Sequence, residues 1–141
     1  MRIKNTNKSF STQQIKDIVR FVKPNGVSNF NINIKNSKGK WGGRAYVSGC
    51  HYGKNAGRVL VVVRIGENRF PFRYKPRRSG YLPWTVFTKL ELLIHLTAHE
   101  LRHLWQAKHP RGWRVWGARG QFSERDADAY AIHKVREWRR K

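Results

Sequence analysis

Cysteine is nearly absent from this 141-residue chain. Cys50 stands alone, so no internal disulfide can form and a thiolate-built metal site is excluded. That usage fits a reducing compartment, and a cytoplasm is the expected location. No apolar run is long enough to span a bilayer, so no membrane insertion is expected. The stretch Met1–Phe10 is polar and basic and lacks the apolar core of a secretory signal. Acids are also scarce. Eight Asp and Glu face thirty Lys and Arg, for a net charge of +22. A field of that sign favours polyanions, and DNA or RNA is an expected partner of the basic surface. The basic residues are scattered, with clusters at Arg73–Arg78, Arg111–Arg119 and Arg136–Lys141, and a solvated surface explains them as well. Large apolar side chains are not scarce. Six Trp, seven Phe and five Tyr exclude a disordered chain. The length suits one domain with its own core, and no repeat or long linker divides it.

The pattern predicts an N-terminal helix from Thr12 to Val22. Ser11 serves as N-cap, Gln14 completes a capping box, and Phe10 and Ile15 occupy staple positions. Ile15, Ile18, Val19 and Val22 form one apolar face, and Pro24-Asn25-Gly26 ends the helix. Strands follow. Asn29–Lys35 alternates apolar and Asn residues, and Gly43–Ser48 is a weaker strand. Arg58–Ile65 has the β-branched character of a central strand. Arg69–Tyr74 alternates aromatics, and Pro71 places it at an edge. Short connections imply a mostly antiparallel sheet of about four strands. A second helix runs from Lys89 to Lys108, with Thr88 as cap, Glu91 in the capping-box position and Phe87 facing Leu92 as a staple. Arg111–Gln121 reads as loop. A third helix starts after Ser123, with Phe122 and Ala127 at staple positions, and reaches Trp138. The fold class is α+β.

The second helix carries His99-Glu100-Leu101-Arg102-His103, an HExxH. Residues four apart are offset by about 40° around a helix and one turn along it, so both imidazoles can face one ion. Glu100 lies about 100° from His99 around the axis, which suits a general base better than a ligand. The third ligand has two candidates. Glu124 opens the third helix and forms an ExxxD with Asp128, so both carboxylates share a face. One can bind metal while the other holds a ligating imidazole. His109 has suitable spacing, but Gln106 stands where a glycine would let the chain turn back, and a helix reaching Lys108 leaves His109 on the wrong side. Four of the eight acids, Glu100, Glu124, Asp126 and Asp128, fall in or just after the motif region. Favourable charge at a helix N-terminus accounts for Glu124 and Asp126 but not for Asp128, a full turn in.

HExxH on one helix and ExxxD on the next resembles the gluzincin metallopeptidases, including the HtpX-like and ImmA/IrrE-like branches and minimal gluzincins. The resemblance covers roughly Arg58–Trp138, with the specific motifs confined to His99–His103 and Glu124–Asp128. It implies a minimal zincin-like fold ending in a glutamate helix. It implies Zn²⁺ on His99, His103 and Glu124, Glu100 as catalytic base, and Asp128 as partner of a ligating imidazole, His99. It implies endopeptidase activity by metal-activated water on a protein or peptide substrate, which binds by strand addition at an edge strand. It also implies an oxyanion-stabilising His or Tyr, for which Tyr130 and His133 are the candidates. Metzincins match less well, since the glycine is missing and Met1 is the only Met. SprT-like proteases, which attack proteins on DNA, share the basic charge. The alternative is a non-catalytic basic nucleic-acid-binding domain with a structural zinc.

Other residues have plainer readings. His95 shares the motif face and fits core packing, a fourth ligand or a cleft wall. A Cys50-His51 dyad is disfavoured because adjacent strand residues point apart. Trp105, Trp113 and Trp116 suit stacking on nucleic acid or packing against the third helix. Arg77-Arg78 and Arg139-Arg140-Lys141 suit solvated charge.

Overall fold

The computed structural model describes residues 1–49, 58–76, 81–109 and 122–141. Cys50, His51, Arg77, Arg78, Trp113, Trp116 and the loop expected at Arg111–Gln121 lie outside the described residues. Among the described residues nine elements follow one another: β1 (Arg2–Asn5), α1 (Thr12–Val22), β2 (Asn31–Asn36), β3 (Trp41–Tyr46), β4 (Leu60–Ile65), β5 (Phe72–Tyr74), β6 (Trp84–Val86), α2 (Lys89–Lys108) and α3 (Glu124–Arg139). The fold is α+β.

α1 is set by its cap. Ser11 Oγ accepts from Gln14 N at 3.1 Å and Gln14 Oε1 accepts from Ser11 N at 2.8 Å, which satisfies two otherwise orphaned amides. Its stripe Ile15, Ile18, Val19 and Val22 is buried. α2 is capped by Thr88, whose Oγ1 accepts from Glu91 N, while Glu91 Oε1 takes the amide of Phe87. Phe87 itself is exposed, with the Arg139 guanidinium over its ring, and Phe122 is exposed as well.

The sheet corrects the expected antiparallel order. Its four strands run β1-β2-β4-β3. β1 pairs with β2 and β2 with β4 in parallel, and only β3 and β4 are antiparallel. Two features explain this. β1, unforeseen in the polar N-terminal stretch, joins β2 through α1 as a β-α-β unit, which forces parallel pairing. β4 carries Leu60, Val61, Val62 and Val63, all buried, so it gains most from the sheet centre. β3, with two glycines and Arg44, takes the edge instead. The aromatic strand β5 pairs only with β6, in a separate two-stranded sheet.

One face of the main sheet is apolar. Ile32, Ile34, Val61, Val63 and Ile65 on that face pack with α1, α2 and the end of α3 in a single core. α2 is central to it, with 14 buried residues among its 20. Among the described residues, no helix is long and apolar enough to cross a membrane.

Candidate metal centre

The motif sits midway along α2, where the helix passes beneath β3 and against α3. α3 is locked onto it at its first turn. Ser123 caps α3 by accepting from Asp126 N at 3.2 Å. The fully buried Asp126 in turn takes a two-pronged contact from Arg102, with Nε–Oδ2 at 2.7 Å and Nη2–Oδ1 at 3.1 Å. Gln106 Nε2 donates to Asp126 Oδ2 at 3.0 Å and to Ser123 O at 2.9 Å. These bonds bring Glu124, the first residue of α3, over the two motif imidazoles.

Three side chains meet there. His99 Nε2 lies 3.0 Å from Glu124 Oε2, His103 Nε2 lies 3.0 Å from Glu124 Oε1, and the two Nε2 atoms are 3.2 Å apart. The opposite ring nitrogens are held from behind. His99 Nδ1 lies 2.8 Å from Asp128 Oδ1, and His103 Nδ1 lies 2.7 Å from Gln106 Oε1. Both of those partners present acceptors, because a carboxylate has no proton and the Gln106 amide nitrogen is already committed to Asp126 and Ser123. Each Nδ1 therefore carries the proton in the neutral ring, and each Nε2 turns a lone pair inward. Two lone pairs and a carboxylate facing one another at 3.0–3.2 Å repel unless a cation lies among them. Tetrahedral ligand atoms on a first-row divalent ion with bonds of about 2.0–2.1 Å stand about 3.3 Å apart. The donor set therefore fits a metal ion, and His99, His103 and Glu124 could hold one.

The electrostatics agree. Burial opposes protonation of His99, yet Asp128 and Glu124 beside it, with the charge of Glu100, push its pKa up to about 10. The site thus demands positive charge even from a buried imidazole. Glu124 is held well below the usual carboxylate range by His103 and His99. Burial raises Asp128, but its contacts with His95 and His99 prevail and bring it below its ordinary value. Glu100, 7 % exposed, is shifted upward by burial against the pull of His99 and His103.

A second trio, His95, His99 and Asp128, is also close enough to hold an ion. His95 Nε2, however, stands 3.7 Å from Asp128 Oδ1, and Asp128 is already engaged with His99. His95 is fully buried between the rings of Tyr74 and Trp84, with centroids at 4.7 and 4.9 Å, and burial keeps it neutral by lowering its pKa. It packs the floor of the site.

The trio opens to a cleft of about 800 Å³. One wall is β3, from Trp41 to Ala45, and the others include Tyr74, Lys75, Phe122 and Glu100. Glu100 lies directly under Gly43. A Cβ at position 43 would stand 3.0 Å from Glu100 Oε1 and 3.1 Å from its Cγ, so a larger residue there would press that carboxylate aside by a few tenths of an ångström.

The remaining expected site residues lie elsewhere. His109 caps the end of α2, stacked on Trp105 at 4.4 Å with Nδ1 2.9 Å from Trp105 O, because the helix continues past Gln106 to Lys108. Tyr130 donates its hydroxyl proton to Val22 O at the end of α1. His133 lies farther along α3, where burial and then the charge of Arg136 lower its pKa. Neither Tyr130 nor His133 is among the described residues lining the cleft. Sequence reasoning missed Gly43 and the roles of Gln106 and Asp126, the latter read as charge at a helix N-terminus and found to dock α3 on α2. Gln106 carried a signal, since a buried amide three residues beyond a ligating His faces the same side of the helix.

No protein-family model matches the chain, and neither the curated proteins nor the solved structures include a match to it.

Proposed function

We propose that the chain is a zinc-dependent endopeptidase with a minimal zincin-like fold, similar to the gluzincins. The observation that carries this reading is the convergence of two inward lone pairs and one carboxylate at the floor of an open cleft, with a second carboxylate beside them. Two imidazoles and one carboxylate suit zinc, and three protein ligands leave a position free, as catalytic rather than structural sites do. Zinc, when bound, supplies Lewis acidity, which polarises a carbonyl and acidifies a water.

The chain's own residues supply the rest. Asp128 and Gln106 fix the tautomers of His99 and His103, so both rings hold their lone pairs toward the ion. Glu100, with its upward-shifted pKa, is suited to accept the proton of the attacking water on a carboxylate oxygen and to deliver it to the leaving amine nitrogen. Among the described residues β3 is an edge strand on the cleft, and its outward backbone groups can pair with an extended protein or peptide substrate. Gly42 and Gly43 let that backbone approach closely. The single Cys50 fits action in a cytoplasm.

Glu100→Gln tests this reading. The variant should bind the same molar amount of zinc and melt at the same temperature, yet hydrolyse a quenched casein substrate at least about a hundredfold more slowly. Unchanged hydrolysis in that variant would remove Glu100 from catalysis and the proposal with it.

A further inference from the structure

The face of the main sheet turned away from the helices has its own composition. None of the eight acids of the chain falls in β1–β4. The five cations of those strands, Arg2, Lys4, Lys35, Arg44 and Arg64, all alternate with core residues and so share the outer face. The register sets them in cross-strand rows. One row runs Arg2, Asn31, Leu60, Tyr46; the next runs Lys4, Asn33, Val62, Arg44; a third pairs Lys35 with Arg64. Leu60 and Val62, packed with Tyr46, and Asn31 and Asn33 are buried at the centre of this face, so the cations stand around it as its accessible border. Arg2, Lys4, Arg44 and Arg64 are exposed and Lys35 is half-buried. Arg44 also stands over the Tyr46 ring at 4.9 Å.

We propose that this outer sheet face binds single-stranded nucleic acid. Five cations without one carboxylate form a field that holds a phosphate backbone. Arg2 and Lys4, successive outward residues of β1, stand about 6.6 Å apart, a spacing that suits neighbouring phosphates of an extended strand, and Lys35 and Arg64 stand side by side on β2 and β4. Tyr46 adds an aromatic ring at one border. A broad sheet does not enter a major groove, which admits a helix or a two-stranded ribbon, so the surface suits a single strand rather than duplex base reading. Arg44 belongs both to this face and to the cleft wall, so a bound strand would end beside the metal centre. The inference rests on charge placement and stands apart from the peptidase reading.

Fluorescence anisotropy of the full zinc-loaded chain with labelled oligo(dT) and oligo(U) tests it, with a DNA duplex and phosphatidylglycerol vesicles as competitors. Lys35→Glu with Arg64→Glu should weaken single-strand binding about tenfold or more. The milder Lys35→Gln with Arg64→Gln should lower the slope of log affinity against log salt by about two. The matched control, Lys16→Glu with Arg20→Glu on the exposed side of α1, should change affinity less than about twofold. Circular dichroism checks that each variant is folded. If the Glu variant does not fold, the Gln pair decides by its slope. Equal loss in the control would mean a diffuse basic surface and would overturn the proposal. So would preference for the duplex, or a face that holds vesicles but not the oligonucleotides. Repeating the titration in Glu100→Gln keeps the outcome separate from that of the proteolytic test.

Discussion

Gln106 shows how much one buried amide can decide. Its oxygen faces His103 and its nitrogen faces α3, so it orients the His103 imidazole and docks the helix that brings Glu124. Gln106→Met keeps the volume but removes the acceptor. Zinc affinity, measured by competition with a chromophoric chelator, should fall about ten- to a hundredfold. His109→Ala should leave that affinity unchanged, because His109 lies on Trp105 at the far end of α2. A zinc affinity indifferent to Gln106→Met would deny the amide its orienting role. HExxH and ExxxD were legible because helical periodicity converts spacing directly into a shared face. Gly43 was not legible, since its constraint comes from Glu100, 57 positions away, across a packing interface.

At the scale of elements, α2 and α3 are joined at both ends. Near the metal centre the lock is Asp126 with Arg102 and Gln106. At the other end Arg139, near the C-terminus of α3, grips Glu91 in the first turn of α2, with contacts of 2.6 and 2.7 Å. Burial raises the Glu91 pKa, but Arg139 and the Phe87 amide outweigh it and hold it below its ordinary value. A depressed carboxylate stabilises the fold above its unfolded pKa, near 4.3, and that contribution is lost as pH falls through the lower folded value. Glu91→Gln should therefore cost about 1 kcal/mol in urea unfolding at pH 6, with Arg139 a third exposed and its pull screened accordingly. The gap between wild type and variant should close toward pH 3. A gap that stays constant across that range would show that the charge of Glu91 contributes nothing. The capping residues Ser11, Thr88 and Ser123 could be read from sequence because a cap is a local bargain between a side chain and amides two or three positions on. At the Phe87 staple position the exposed ring carries the Arg139 guanidinium, a tertiary partner that no local pattern announces.

Across the whole molecule, the placement of charge singles out the candidate metal centre. Half of the acids, Glu100, Glu124, Asp126 and Asp128, are gathered at or beside the centre, where they raise the demand for a cation in a protein already at +22. Removing the ion leaves the lone pairs and carboxylates to be satisfied by protons alone. Chelation with EDTA should lower the melting temperature, and zinc at about a hundred times its dissociation constant should restore about 2.7 kcal/mol. A melting temperature indifferent to both treatments would argue against a metal in the folded state. Sequence by itself determined the α+β class, the three helices, the central position of the β-branched strand and the HExxH and ExxxD faces. Each of these follows from periodicity, capping or burial within one segment. Only the tertiary structure decided the rest: β1 and the parallel pairing, the insertion of β4 between β2 and β3, the closure of Glu124 over His99 and His103, and a sheet face whose only charges are positive. Those depend on which segments meet across long stretches of chain, and that is settled by competition for the shared core rather than by any local pattern.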